Sequence, residues 1–150
     1  MSDLKEYTMG LRIKGTTCNE HITVAYLGKR TNESLFSIKE DMYLVATTKS
    51  DPKGKIYGED NFGLDKNIPV FLVNFNDSEF EKQLISLWEK YNVEQEHTKG
   101  LEKPKWHISK KSASQLKKDD SFEVDRLFVK ELGPVNPCIY FELKPLLKSF

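Results

Sequence analysis

The chain has 150 residues, 38% hydrophobic and 31% charged, an ordinary globular composition at a length that one domain fills. Lys plus Arg and Asp plus Glu number 23 each, so the basic excess with which proteins track long duplex nucleic acid is missing. No apolar run approaches membrane-spanning length, and the opening MSDLKEYTMG lacks a signal-peptide core. Cys18 and Cys138 form no C-x-x-C unit. The expectation is a single soluble domain, free or cut from a longer polypeptide, in the reduced cytoplasm and without a membrane partner.

In chain order, GLRIKG (Gly10–Gly15) alternates between glycines and predicts a short strand. HITVAYLG (His21–Gly28) is β-branched and aromatic and ends at glycine, predicting a second strand. TNESLFSIKEDMYLVATT (Thr31–Thr48) opens on a capping candidate and spaces Leu35, Ile38, Met42 and Val45 as a helix does, passing into a strand near its end. The segment Ser50–Gly63 is rich in turn formers and predicts only a short strand around Lys55–Gly58. IPVFLVNF (Ile68–Phe75) is apolar almost throughout, as a central strand is.

NDSEFEKQLISLWEKYN (Asn76–Asn92) begins with capping residues. It then sets Phe80, Leu84, Leu87, Trp88 and Tyr91 on one stripe, predicting an amphipathic helix. A polar connector holding His97, read as solvated, leads to the strand WHIS (Trp106–Ser109). SASQLKKDD predicts a short helix, and FEVDRLFVKELG and CIYFELK predict two strands about the turn GPVN. The order points to an α+β domain of two similar lobes.

Two strands carry an unexpected histidine. Alternation puts His21 and Thr23 on one face, about 7 Å apart, with Ile22 and Val24 behind. His107 and Ser109 repeat the arrangement in the second half of the chain. An imidazole exchanges a proton near neutral pH, and a hydroxyl donates to a phosphoryl oxygen. Two such half-sites face to face would supply a base, an acid and two phosphate contacts. No metal is required for this, and with three histidines and no carboxylates at ligand spacing none is provided for.

Trp106 and Tyr26 fall on the opposite faces and are expected to be packing residues. Tyr57 and Phe62, placed in a loop, are the candidates to stack on a base. Arg12 and Lys14 share a strand face and, with Lys110 and Lys111 after the second motif, are candidate phosphate neighbours.

The paired motifs HITVAYLG and WHISKK resemble the signature of the 2H phosphoesterase superfamily, the LigT-like proteins. The resemblance spans most of the chain. It implies a two-lobed fold in which antiparallel sheets line a central cleft with helices outside, a phosphodiesterase activity and no cofactor. Carried onto this sequence it makes His21 and His107 catalytic and Thr23 and Ser109 phosphate-binding. Ser109 stands where the motif more often has threonine. Within the superfamily, MGLRIKG and HITVAYLG are most similar to viral phosphodiesterases that destroy 2′,5′-oligoadenylates, such as the rotavirus capping-enzyme C-terminal domain. That likeness implies a monomer acting on a short oligonucleotide, antagonism of the host RNase L pathway, and a place in the host cytoplasm or the virion. Opening of 2′,3′-cyclic phosphates, RNA-end processing, hydrolysis of cyclic dinucleotides, and a catalytically silent nucleotide-binding module stay open as alternatives.

Overall fold

The computed structural model describes residues 4–14, 21–31, 33–47, 52–62, 65–95, 98–110, 116–132, 140–145 and 147–148, with side chains except at 21, 46–47, 125, 140–145 and 147–148. Cys18, Cys138, His97, Lys111 and the expected turn at 133–136 lie outside the described residues, as does the first part of the helix expected from residue 112.

The elements run β1 (Lys5–Ile13), β2 (His21–Arg30), α1 (Leu35–Tyr43), β3 (Ala46–Thr47), β4 (Lys53–Phe62), β5 (Ile68–Phe75), α2 (Ser78–Tyr91), β6 (His107–Ser109), β7 (Ser121–Glu131), β8 (Tyr140–Pro145) and β9 (Leu147–Lys148). Among the described residues, seven strands form one sheet in the order β2-β1-β7-β4-β5-β6, with β8 also on β7. Every pairing in it is antiparallel, while β3 and β9 make a small parallel pair. Among the described residues, no helix is long and apolar enough to cross a membrane.

Strand β7 joins the two halves. Its first three residues pair with β4, through Gly54 opposite Phe122, while residues from Val124 onward pair with β1. On its other edge the later part takes β8. One half is therefore β2-β1-β7-β8 and the other β7-β4-β5-β6, which gives the two-lobed architecture.

The buried faces share one core. Met9, Leu11, Ile22, Val24, Leu127 and Val129 join Val73, Phe75, Trp106 and Ile108 in it, with Leu35, Ile38 and Met42 of α1 and Phe80, Leu84 and Leu87 of α2. Helix α2 lies against β2, and its Phe80 ring meets Phe75 of β5 edge-on. Helix α2 forms where its stripe predicts: Asp77 caps it by accepting from the Phe80 N–H at 3.0 Å, and Glu79 and Glu81 meet the positive end of its dipole. Asp41 of α1 links the helices through Lys90 at 2.8 Å and the Tyr91 hydroxyl, and these two contacts hold its carboxyl below the usual range.

Two expectations fail. Strand β4 covers ten residues rather than four, because neighbours on both sides complete its hydrogen bonds and override the local turn formers. Residues 116–120 are not helical. The Asp120 carboxylate accepts from the Lys117 N–H at 2.9 Å, and Asp119 takes φ 74°, conformations that turn the chain into β7.

Gly54 lies where the halves meet. A Cβ there would stand 2.6 Å from the Asn74 carbonyl oxygen and 2.5 Å from the Phe122 ring. Gly54→Ala should therefore cost about 2–3 kcal/mol through forced backbone shifts, read as a lower urea midpoint. An unchanged midpoint would refute this account of the junction.

Candidate active site

The strands bearing the two histidine motifs, β2 and β6, are the first and last in the sheet order, yet they come into contact. Thr23 of β2 and His107 of β6 line one small cavity of about 10 Å³, roughly the space of one water. The halves thus fold toward each other, and the motif strands form the seam.

On the β6 side, His107 and Ser109 are half-buried, with Ile108 wholly buried behind them. His107 pairs with Leu72 and Ser109 with Val70, so alternation puts both on the face opposite Ile108. The Lys105 carbonyl lies 3.0 Å from Nδ1 of His107. A carbonyl only accepts, so Nδ1 carries the proton and Nε2 is the basic nitrogen of the neutral ring. Phe62 meets the ring edge-on, with centroids 4.6 Å apart, and limits its rotation.

Lys105 is itself held. Its ammonium lies 3.3 Å from Asp60. The Asn61 N–H, and after it Lys105, keep the Asp60 carboxyl below its ordinary range. Asp60 thus anchors the residue whose carbonyl orients His107.

On the β2 side the register sets Thr23 opposite Gly10 and His21 opposite Arg12 on β1. Position 21 therefore shares a face with Thr23 and Arg12, as alternation predicts. Thr23 is half-buried. The register skips Val24, an irregularity that brings Tyr26 onto the Thr23 side, where it lines the same cavity, and skips again at Leu27 beyond it. Its expected role as a packing residue on the opposite face is thus corrected. The Tyr26 hydroxyl donates to Glu6, and this bond, ahead of burial, pushes its pKa up to about 12. Asn92 and Val93, just beyond α2, accept from and donate to the Tyr26 backbone at 3.0 and 2.7 Å.

The other candidates separate. Arg12 is half-buried on the site face. The Lys14 ammonium is drawn to Glu123 of β7 at 3.4 Å. Lys110 turns to the opposite face, where it pairs with Glu59 and lies 5.1 Å from the Phe71 ring centroid. Its expected place beside the substrate is corrected, since residue 110 falls out of phase with 107 and 109. Tyr57 and Phe62 are strand residues, not loop residues. Phe62 is buried against His107, whereas half-exposed Tyr57 sits at a break in the β4 register and faces a groove of about 360 Å³ with Trp106, behind the site. Neither is placed to stack on a base next to His107. Trp106 is buried as expected, with its indole N–H on Glu81 at 3.0 Å.

No protein-family model matches the chain, and no curated protein matches it in sequence. Solved structures match its backbone over nearly its whole length, and the architecture is that of the LigT-like 2H phosphoesterase fold. E. coli LigT in complex with NADP+ matches with a TM-score of 0.60 at 10% identity, covering 97% of this chain and 99% of that one. A protein described as a phosphoesterase gives 0.60 at 11%, covering 95% and 99%. E. coli LigT with 3′-AMP gives 0.58 at 11%, covering 99% and 100%.

Two measurements check this geometry. Imidazole ¹⁵N shifts at pH 8 should report Nδ1–H as the main tautomer of His107; a dominant Nε2–H form would refute the Lys105 contact. Tyr26 is held protonated in the fold, so its contribution to stability is complete below the unfolded-state pKa near 10 and is lost as pH rises through about 12. Glu6→Gln should move the tyrosinate absorbance transition of Tyr26 toward 10, and no movement would remove Glu6 as its cause.

Proposed function

We propose that the protein is a metal-independent phosphodiesterase of short oligonucleotides, with 2′,5′-oligoadenylates the favoured substrate. The observation that carries this reading is the meeting of β2 and β6, the two strands that bear His-x-Thr and His-x-Ser, at the seam between the lobes. The LigT-like fold supports the reaction class. Complexes of E. coli LigT with 3′-AMP, ATP and NADP+ support a small nucleotide as ligand. The likeness of HITVAYLG to the viral enzymes supports the 2′,5′ linkage and, with it, antagonism of RNase L in the host cytoplasm.

In this mechanism His21 and His107 are the acid/base pair. One, neutral, takes the proton from the attacking hydroxyl or water. The other, protonated, gives a proton to the leaving oxygen. The Nδ1 bond of His107 to the Lys105 carbonyl leaves Nε2 for the transfer, in whichever direction it runs. Thr23 and Ser109 donate to the non-bridging oxygens as charge builds on them. Opening of a 2′,3′-cyclic phosphate is the second reading, favoured by the 3′-AMP held by a structural neighbour.

Incubation with 2′,5′-linked triadenylate and its 3′,5′ isomer in excess EDTA tests the proposal. Selective cleavage of the 2′,5′ form is expected, greatest near neutral pH and falling on both sides. His21→Ala and His107→Ala should each lower it by roughly 10²–10⁴-fold. Failure of the wild type to cleave either isomer would rule out this substrate class, and loss of activity in EDTA would rule out the metal-free mechanism.

A further inference from the structure

The groove of about 360 Å³ that Tyr57 and Trp106 line adjoins the seam. Pro104 and Lys105 line both this groove and the small cavity beside His107, so the two hollows share a wall. Much of its lining is apolar: Val73 and Trp106 are buried, and Ile85 of α2 is half-buried. Tyr57 comes to it through an irregularity in β4. The pairing with β5 sets Ile56 opposite Val73 and then Gly58 opposite Leu72, so residue 57 is an extra one. Such a bulge re-aims its side chain out of the strand's alternation.

A single exposed tyrosine on a surface is ordinary. Tyr57 instead stands half-exposed at a hollow of ligand size on which polar groups converge. The exposed Asn74 amide both donates and accepts, as the edge of a base requires. Lys103 and Lys105 bring ammonium groups, the latter also paired with Asp60 at 3.3 Å. Glu81 is the carboxylate among the described lining residues, and it is turned to the Trp106 indole N–H at 3.0 Å. Small-ligand sites run from about 300 to 1,000 Å³, so a groove near the lower end suits one nucleotide unit rather than two.

We infer that this groove binds one nucleotide, its base stacked on Tyr57 and its phosphate toward Lys103. A stacking ring, an amide for the base edge and a cation for the phosphate match the three parts of such a ligand. Its source is either the outer nucleotide of a short chain whose inner phosphate lies at the seam or a free nucleotide. The first of these rests on the phosphodiesterase reading.

The test is an NMR titration of the ¹⁵N-labelled protein with 5′-AMP, read at the Trp106 indole N–H in the groove. That peak should move and saturate. Tyr57→Ala should weaken binding about five- to a hundredfold, the worth of one base stack, whereas Tyr57→Phe should not weaken it. Lys103→Gln should weaken binding of 5′-AMP and leave that of adenosine unchanged. A peak that stays still, or that responds equally in Tyr57→Ala, would overturn the site. Equal losses for both ligands in Lys103→Gln would overturn the placement of the phosphate. His107→Ala, slow to cleave, is then given 2′,5′-linked triadenylate before 5′-AMP. If the triadenylate alone moves the peak and blocks 5′-AMP, the occupant is the substrate's outer nucleotide; if 5′-AMP still binds in full, it is a free nucleotide. Cleavage of the triadenylate by the wild type is followed with the same reagents. Cleavage without a Tyr57-dependent shift removes the groove site and leaves the activity, and the shift without cleavage does the reverse.

Discussion

The architecture depends on one strand serving both halves of the sheet. Because β7 gives its first residues to β4 and its later ones to β1 and β8, the halves share a backbone and cannot lie as separate plates. Strand twist accumulates across such a sheet. The register of β7 against β1 also breaks between Arg126 and Val124, where an irregularity adds bend. Twist and bend together bring the terminal strands β2 and β6 to each other. A histidine motif on either strand alone would be an ordinary polar face of a sheet.

Around His107 the groups form a chain of orientation. Asp60 fixes the Lys105 ammonium, the Lys105 carbonyl fixes Nδ1, and the Phe62 edge limits the ring's swing. The exposed ion pair at the start of this chain contributes little to stability. Its effect is on which nitrogen is left basic. In the proposed reaction, holding the His107 imidazole in place would lower the barrier by removing disorder from the reacting arrangement rather than by binding more tightly.

Much of this was legible in the sequence, for reasons that particular residues make plain. A period of two holds over residues 107–109, so Trp106 and Ile108 separate cleanly from His107 and Ser109. A period near 3.6 with an Asp cap defined α2. Strand β4 was largely hidden, because GKIYGEDNF has poor strand propensity and is held by pairing with residues distant in the chain. Tyr26 was misread because a register break at Val24 shifts its face, and no residue type announces it. Lys110 was misread because its ion pair with Glu59 depends on which strand lies alongside. The approach of β2 to β6 is a property of the whole sheet and is written in neither strand.

Strands at the ends of a sheet ordinarily expose a row of unpaired backbone groups that invites another chain to add on. Both motif strands occupy such ends. Here the backbone of Tyr26 on the outer side of β2 is met by Asn92 and Val93 at the exit of α2, and β6 draws alongside. The contact that assembles the site also shields the edges most exposed to strand addition. Mutations that pry the lobes apart would therefore cost solubility as well as the geometry of the seam.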